Sequence, residues 1–360
     1  PATAKALDAS IKKALASVPD FSNREVPRIL VLPHAGYDYS AQTAAYGIKR
    51  ILGAEFKRVV LLAPSHRAYV ENSLVAPEAE AVSTPYGVIL VDREAIQTVA
   101  RGINVSCCDS IHANEHSAQI EYPMLQYALK DFKIVPFIVG TMDAETIIKA
   151  AGALRPILDN DTLLVVSSDF THYGRDFDFE PFDRDVRANV EKMDLGAFEC
   201  IREKDFRKFM AYIGATGATI CGRNPLAVML ALVPPNAEFE KLHYETSSDE
   251  SYDFSRFVCY MSIAGFVDWG CGTVAKAVLT DEEKIALLRF ARSSIRQMLD
   301  TGKAYRADFF AKEATGNMRC KMGCFVTLNQ KRTHDLRGCI GEIVARRPLY
   351  QAVTALAVQS

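Results

Sequence analysis

Three apolar runs in this chain end on polar clusters, and that recurrence narrows the folds open to it. "RILVL" (28–32) leads into His34, "RVVLLA" (58–63) into His66, and "LLVVS" (163–167) into Asp169 and His172. Short runs of Val, Ile and Leu without polar alternation read as strands covered on both faces. "FKIVPFIV" (132–139) and "SRFVCYMSIAGF" (255–266) read as further strands. Helical patterns lie at 116–130, 143–158, 183–202 and 222–232, with another at 7–18 whose Leu7, Ile11, Leu15 and Val18 share a face. Strands alternating with helices give the fold class α/β, a mixed or parallel sheet flanked by helices. "STPYGVILVD" (83–92) reads as an inserted hairpin. In open α/β sheets ligands gather beyond the carboxyl ends of the strands. If the three strands are parallel neighbours, His34, His66, Asp169 and His172 meet in one crevice.

The pattern changes near residue 268, dividing the chain into a large domain at 1–267, a linker at 268–279 and a smaller α+β domain at 280–360. Thr280 and Glu283 have capping-box spacing, which predicts a helix start. "CFVTLNQ" (324–330) and "DLRGCIGEIV" (335–344) read as strands after it. The sequence begins at Pro1 and stops inside a helical pattern, so the smaller domain reads as truncated and the whole as part of a longer chain.

Composition removes several function classes. A net charge of −2 gives no support to a nucleic-acid or anionic-membrane partner. The apolar runs are too short to span a bilayer, and the nine cysteines show no paired framework. These features predict a cytoplasmic protein with reduced thiols.

Cys221, in "TICGRNP", precedes a helical run, where the helix dipole favours a thiolate. Imidazole and thiolate together suit iron, zinc or copper. "HANEH" (112–116) matches the inverted zincin pattern, but "NVSCCDS" before it reads as a strand end, which breaks the helix that such chemistry needs. Cys320, Cys324 and Cys339 lack the spacing of a zinc site and read as structural or redox-sensitive.

"PHAGYDYS", "APSHR", "NEHSAQIEYP", "VVSSDFTHYG" and "TICGRNP" occur in the order expected of the Memo family, and the resemblance covers about residues 1–267. Memo proteins are similar in fold and pocket to LigB-type class III extradiol dioxygenases, which are non-haem iron enzymes. The resemblance implies His34, His66 and Cys221 as ligands to a divalent metal, Fe(II) first, with Cu or Zn as alternatives. It implies catalytic roles for His172 and Asp169, and a substrate pocket of Tyr37, Tyr39, His116 and Arg223. "GCFVTLNQKRTHDLRGCIG" resembles the AMMECR family. Together the two imply the AmmeMemoRadiSam system, with a radical-SAM protein as partner and a small molecule or peptide as substrate. The function expected is that of a metal-dependent redox enzyme or enzyme component, with a phosphopeptide-binding module and a zinc hydrolase as alternatives.

Overall fold

The computed structural model describes residues 3–21, 24–271, 279–306, 308–320, 322–331, 333, 335–342 and 347–360. Most of the linker expected at 268–279 lies outside these residues. Internal contacts divide the chain into two units, Pro1–Val267 and Asp268–Ser360.

The first unit carries strands β1 (Ile29–Leu32), β2 (Arg58–Pro64), β3 (Leu74–Ala76), β4 (Ala81–Thr84), β5 (Gly87–Leu90), β6 (Val105–Cys107), β7 (Lys133–Val139), β8 (Thr162–Ser167), β9 (His172–Tyr173), β10 (Glu238–Thr246) and β11 (Phe257–Phe266). Its helices are α1 (Ala4–Ala16), α2 (Tyr37–Arg50), α3 (Arg93–Ala100), α4 (Asp109–Asn114), α5 (His116–Gln119), α6 (Glu121–Ala128), α7 (Ala144–Leu154), α8 (Val186–Glu203), α9 (Phe206–Thr216), α10 (Arg223–Leu232) and α11 (Ser248–Ser251).

The main sheet runs β10-β11-β1-β8-β2-β7-β3-β6, and β9 adds to β11. β1, β8, β2 and β7 are mutually parallel, whereas β11 and β3 join them antiparallel. The sheet is therefore mixed, and the three polar-ended strands are adjacent in the order β1, β8, β2. Their Val, Leu and Ile side chains are fully buried, as strands covered by helices require. α2 packs over β1 and β11, and α10 over β8 and β2. Gly47 of α2 lets that helix approach closely, because a Cβ there would lie 2.5 Å from the Leu32 side chain. β4 and β5 pair as the expected hairpin.

Several elements escape the sequence reading, among them β3, α3, β10 and α9. β10, "EFEKLHYET", interleaves charged and apolar residues because it is an edge strand paired on one side to β11. The apolar face of α9 is only three residues deep, Phe206, Phe209 and Ile213.

The second unit contains α12 (Asp281–Thr301), β12 (Cys324–Asn329), β13 (Leu336–Glu342) and α13 (Leu349–Gln359). Both capping-box hydrogen bonds between Thr280 and Glu283 form, at 3.2 and 3.0 Å. β12 and β13 pair antiparallel. Leu287, Phe290, Phe310, Met318, Leu349 and Tyr350 form its core.

Candidate metal centre

Each of the three central strands delivers a polar residue two positions past its end. His34 follows Leu32 of β1, His66 follows Pro64 of β2, and Asp169 follows Ser167 of β8. The backbone N–H of His34 donates to Asp169 Oδ1 at 2.8 Å, which ties the first strand end to its neighbour. His116, the first residue of α5, completes a cluster. One nitrogen from each of His34, His66 and His116 lies within 4.8 Å of the others. Their ring centroids are 4.8–5.5 Å apart. Among the described residues this is the one group of three or more His, Cys, Asp or Glu side chains arranged to hold a metal ion.

Hydrogen bonds behind the rings fix which nitrogens are free. His34 Nδ1 is 2.7 Å from the hydroxyl of Ser167, the last residue of β8. That hydroxyl also lies 2.7 Å from the Ser117 carbonyl, which can only accept. Glu121 Oε1 lies 2.9 Å away as well, so the single hydrogen goes to the carbonyl or to this carboxyl, and in either case the hydroxyl accepts from His34 Nδ1–H. Nε2 of His34 is left with a lone pair. Glu115 does the same for His66. Its Oε1 accepts from His66 Nδ1 at 2.9 Å and its Oε2 from the His66 backbone N–H at 2.6 Å. The N–H groups of Arg67 and Ser117 add two further hydrogen bonds to this carboxylate. His116 Nδ1 lies 3.4 Å from Glu115 Oε1, too long for a good hydrogen bond but close enough to feel its charge.

Burial would raise the Glu115 carboxyl, but hydrogen bonds from the His66 ring and backbone outweigh it and bring it down to about 2. Burial lowers His34 well below the ordinary range, reinforced by His66 and His116, and burial likewise lowers His116. Those two imidazoles are thus neutral at pH 7, the form that binds metals. A buried carboxylate behind an imidazole also raises its basicity as a ligand. The donor set fits a divalent cation.

Cys221 stands next to the cluster, its Sγ 3.3 Å from His34 Nε2 and 3.5 Å from the Asp169 carbonyl. The start of α10 does not by itself favour a thiolate here. Burial, aided by Asp169, pushes the thiol well above its ordinary value and overrides the nearby start of α10. Gly222 makes the approach feasible, since a Cβ there would sit 2.3 Å from the Ser168 Cβ.

Asp169 is buried, and its Oδ2 is 3.9 Å from His34 Nε2. Burial raises its carboxyl, partly offset by His172. The half-buried His172 has its Nδ1 3.0 Å from the Thr219 carbonyl, which fixes hydrogen on that nitrogen and leaves Nε2 as an acceptor. Phe177 packs edge-on against its ring, at 5.1 Å.

Tyr37 donates its hydroxyl to the Ile120 carbonyl at 2.9 Å, bracing the helix that follows His116. Tyr39 is 65% exposed, and Arg223 opens α10 with its side chain in solvent. Neither has a hydrogen bond or ring contact to the three imidazoles among the described residues. Glu115 has no role in the sequence reading beyond the zincin pattern. The structure breaks that pattern: α4 ends at Asn114, Glu115 is extended, and the buried His112 bonds to the Val75 carbonyl through Nε2 at 3.0 Å.

With this geometry in hand, comparison with known proteins identifies the lineage. The family model described as Memo-like protein matches residues 1–264. The chain belongs to the Memo family. A second model, AMMECR1, matches residues 288–360. The protein memo-1 homolog of Caenorhabditis elegans is 30% identical over 258 residues, covering 67% of this chain and 73% of the homolog. A MEMO1 family protein of Methanobrevibacter smithii is 31% identical over 255 residues, covering 68% and 86%. Another from Nitrosopumilus maritimus is 32% identical over 239 residues, covering 65% and 82%. No helix among the described residues is long and apolar enough to cross a membrane.

Proposed function

We propose that this Memo-family chain is a divalent-metal redox enzyme, with Fe(II) as its native ion. The observation that carries the reading is the trio of imidazoles, two of them tautomer-fixed by Ser167 and Glu115. His34, His66 and His116 supply the nitrogen ligands in this reading, and the Cys221 thiol stands in reach as a fourth. Such a set suits iron, copper or zinc; when bound, iron supplies one-electron chemistry and open positions for substrate and dioxygen.

The protein's own groups then have distinct tasks. Glu115 and Ser167 hold the rings in place and keep their protons on the outer nitrogens. His172, with Nε2 free, accepts a proton from a substrate hydroxyl and returns it. Asp169 locks the backbone of His34 and faces the same space with a carboxyl that burial makes easier to protonate. His34 is 1% exposed, whereas the His116 side chain is 50% exposed, so substrate enters from the His116 side.

The test is nitric oxide binding to anaerobically iron-loaded chain, read by electron paramagnetic resonance. A high-spin iron–nitrosyl signal in the wild type, absent from His34→Ala, is expected. Tight zinc binding with no such signal from the iron-loaded chain would turn the reading towards hydrolysis.

A further inference from the structure

A cavity lined by none of the three imidazoles lies beside the β4–β5 hairpin. It holds about 600 Å³, well within the range of small-molecule sites. Val82, Ser83 and Pro85 of the β4–β5 hairpin line one side. His112 and Ala113 of α4 and Gln119 of α5 line another, and Tyr122 and Pro123 of α6 complete the wall.

Its chemistry selects a ligand class. No Lys or Arg lines it, and its single carboxylate, Asp109, accepts backbone N–H groups from Glu78 and Ala79 at 2.7 and 3.0 Å. An anion finds no counter-charge here, so phosphates and carboxylates are disfavoured. The flat faces of Pro85, Tyr122 and Pro123 suit a ring. One acceptor faces the cleft and a second is buried in its wall. Gln119 uses its amide nitrogen on the carbonyls of His112 and Ala113, at 3.1 and 2.8 Å, which leaves its oxygen as an acceptor. His112 is 7% exposed; its Nε2–H donates to Val75, and its Nδ1 has no hydrogen-bond partner. A buried acceptor without a donor is costly, and a ligand N–H that reached it through a small shift of the wall would gain that cost back in affinity.

We propose that this cleft is a binding site for a neutral, ring-bearing small molecule that carries one N–H or O–H donor. It uses none of the three imidazoles of the metal centre, so its occupancy does not depend on the metal.

The probe is indole, titrated into the full chain with methyl resonances of Ala79, Val82 and Ala113 followed by NMR. Saturable shifts at these methyls are expected, equal in metal-loaded and metal-free protein. 1-Methylindole, without the donor, and indole-3-carboxylate, an anion, should each bind about tenfold more weakly. Ala113→Trp fills the cleft from an exposed position and should abolish the shifts at Ala79 and Val82. Ser83→Trp, also at an exposed position, is the second block if the first variant does not fold. The proposal is overturned if indole gives no saturable shift at millimolar concentration, if a folded blocking variant binds it unchanged, or if the anion binds as well. None of these outcomes touches the metal reading, which stands or falls on metal content.

Discussion

The candidate metal centre has two halves built on different principles. The strand-end half, His34 with Ser167, Asp169 and Cys221, is buried and set by the parallel register of β1 and β8. The corner half, His66 with Glu115 and His116, is more open, its His side chains 28% and 50% exposed. Sheet packing holds the first half in place. One carboxylate, with at least four hydrogen-bond donors around it, holds the second. In the proposed reading, the buried half fixes the metal and the more exposed half receives the substrate. The corner half turns on Glu115, which supplies none of the three clustered nitrogens.

That contrast can be broken from either side. His34→Ala deletes the buried imidazole of the strand-end half, and metal affinity should fall at least about 100-fold in calorimetric titration. Glu115→Gln keeps the shape of the corner half but removes its charge, and affinity should fall about 10- to 100-fold. His116→Ala removes the most exposed ring and should cost about tenfold, because its Nδ1 lacks a short hydrogen bond. Gly222→Ala pushes a methyl into Ser168 and should cost about 1–3 kcal/mol in chemical denaturation, with a smaller loss of metal affinity as Cys221 shifts.

Glu115 also gives the corner half an acid signature. Its folded value is about 2, against about 4.3 for an unfolded glutamate. A depressed carboxyl stabilises the fold above the unfolded value, and that stability is lost as pH falls from about 4.3 through 2. Metal-free wild type should therefore lose stability across this window, and Glu115→Gln should flatten that limb of the profile.

The strand-end half was legible in the sequence because its signal is local. An apolar run followed within a few residues by His or Asp marks a strand end, and His34 and Asp169 carry that mark, as does His66 of the corner half. Cys221 was legible through a motif whose Gly222 proves to be required by packing. The corner half was not legible as a unit. Glu115 acts on the ring and backbone of His66, 49 positions away in the chain, and no pattern in the residues around it reports that. His116 read as a pocket residue because its place beside His34 depends on the break at Glu115. The hidden strand β10 has a similar cause, since an edge strand needs no apolar run.

The decisive measurement is metal stoichiometry after anaerobic purification, compared among wild type, His34→Ala, His116→Ala and Cys221→Ala. Near one equivalent of a divalent metal in the wild type, none in His34→Ala, and a larger loss in His116→Ala than in Cys221→Ala is the expected result. A wild-type chain that takes up no divalent ion, or a His34→Ala chain that retains its full complement, would contradict a metal centre built on these three imidazoles.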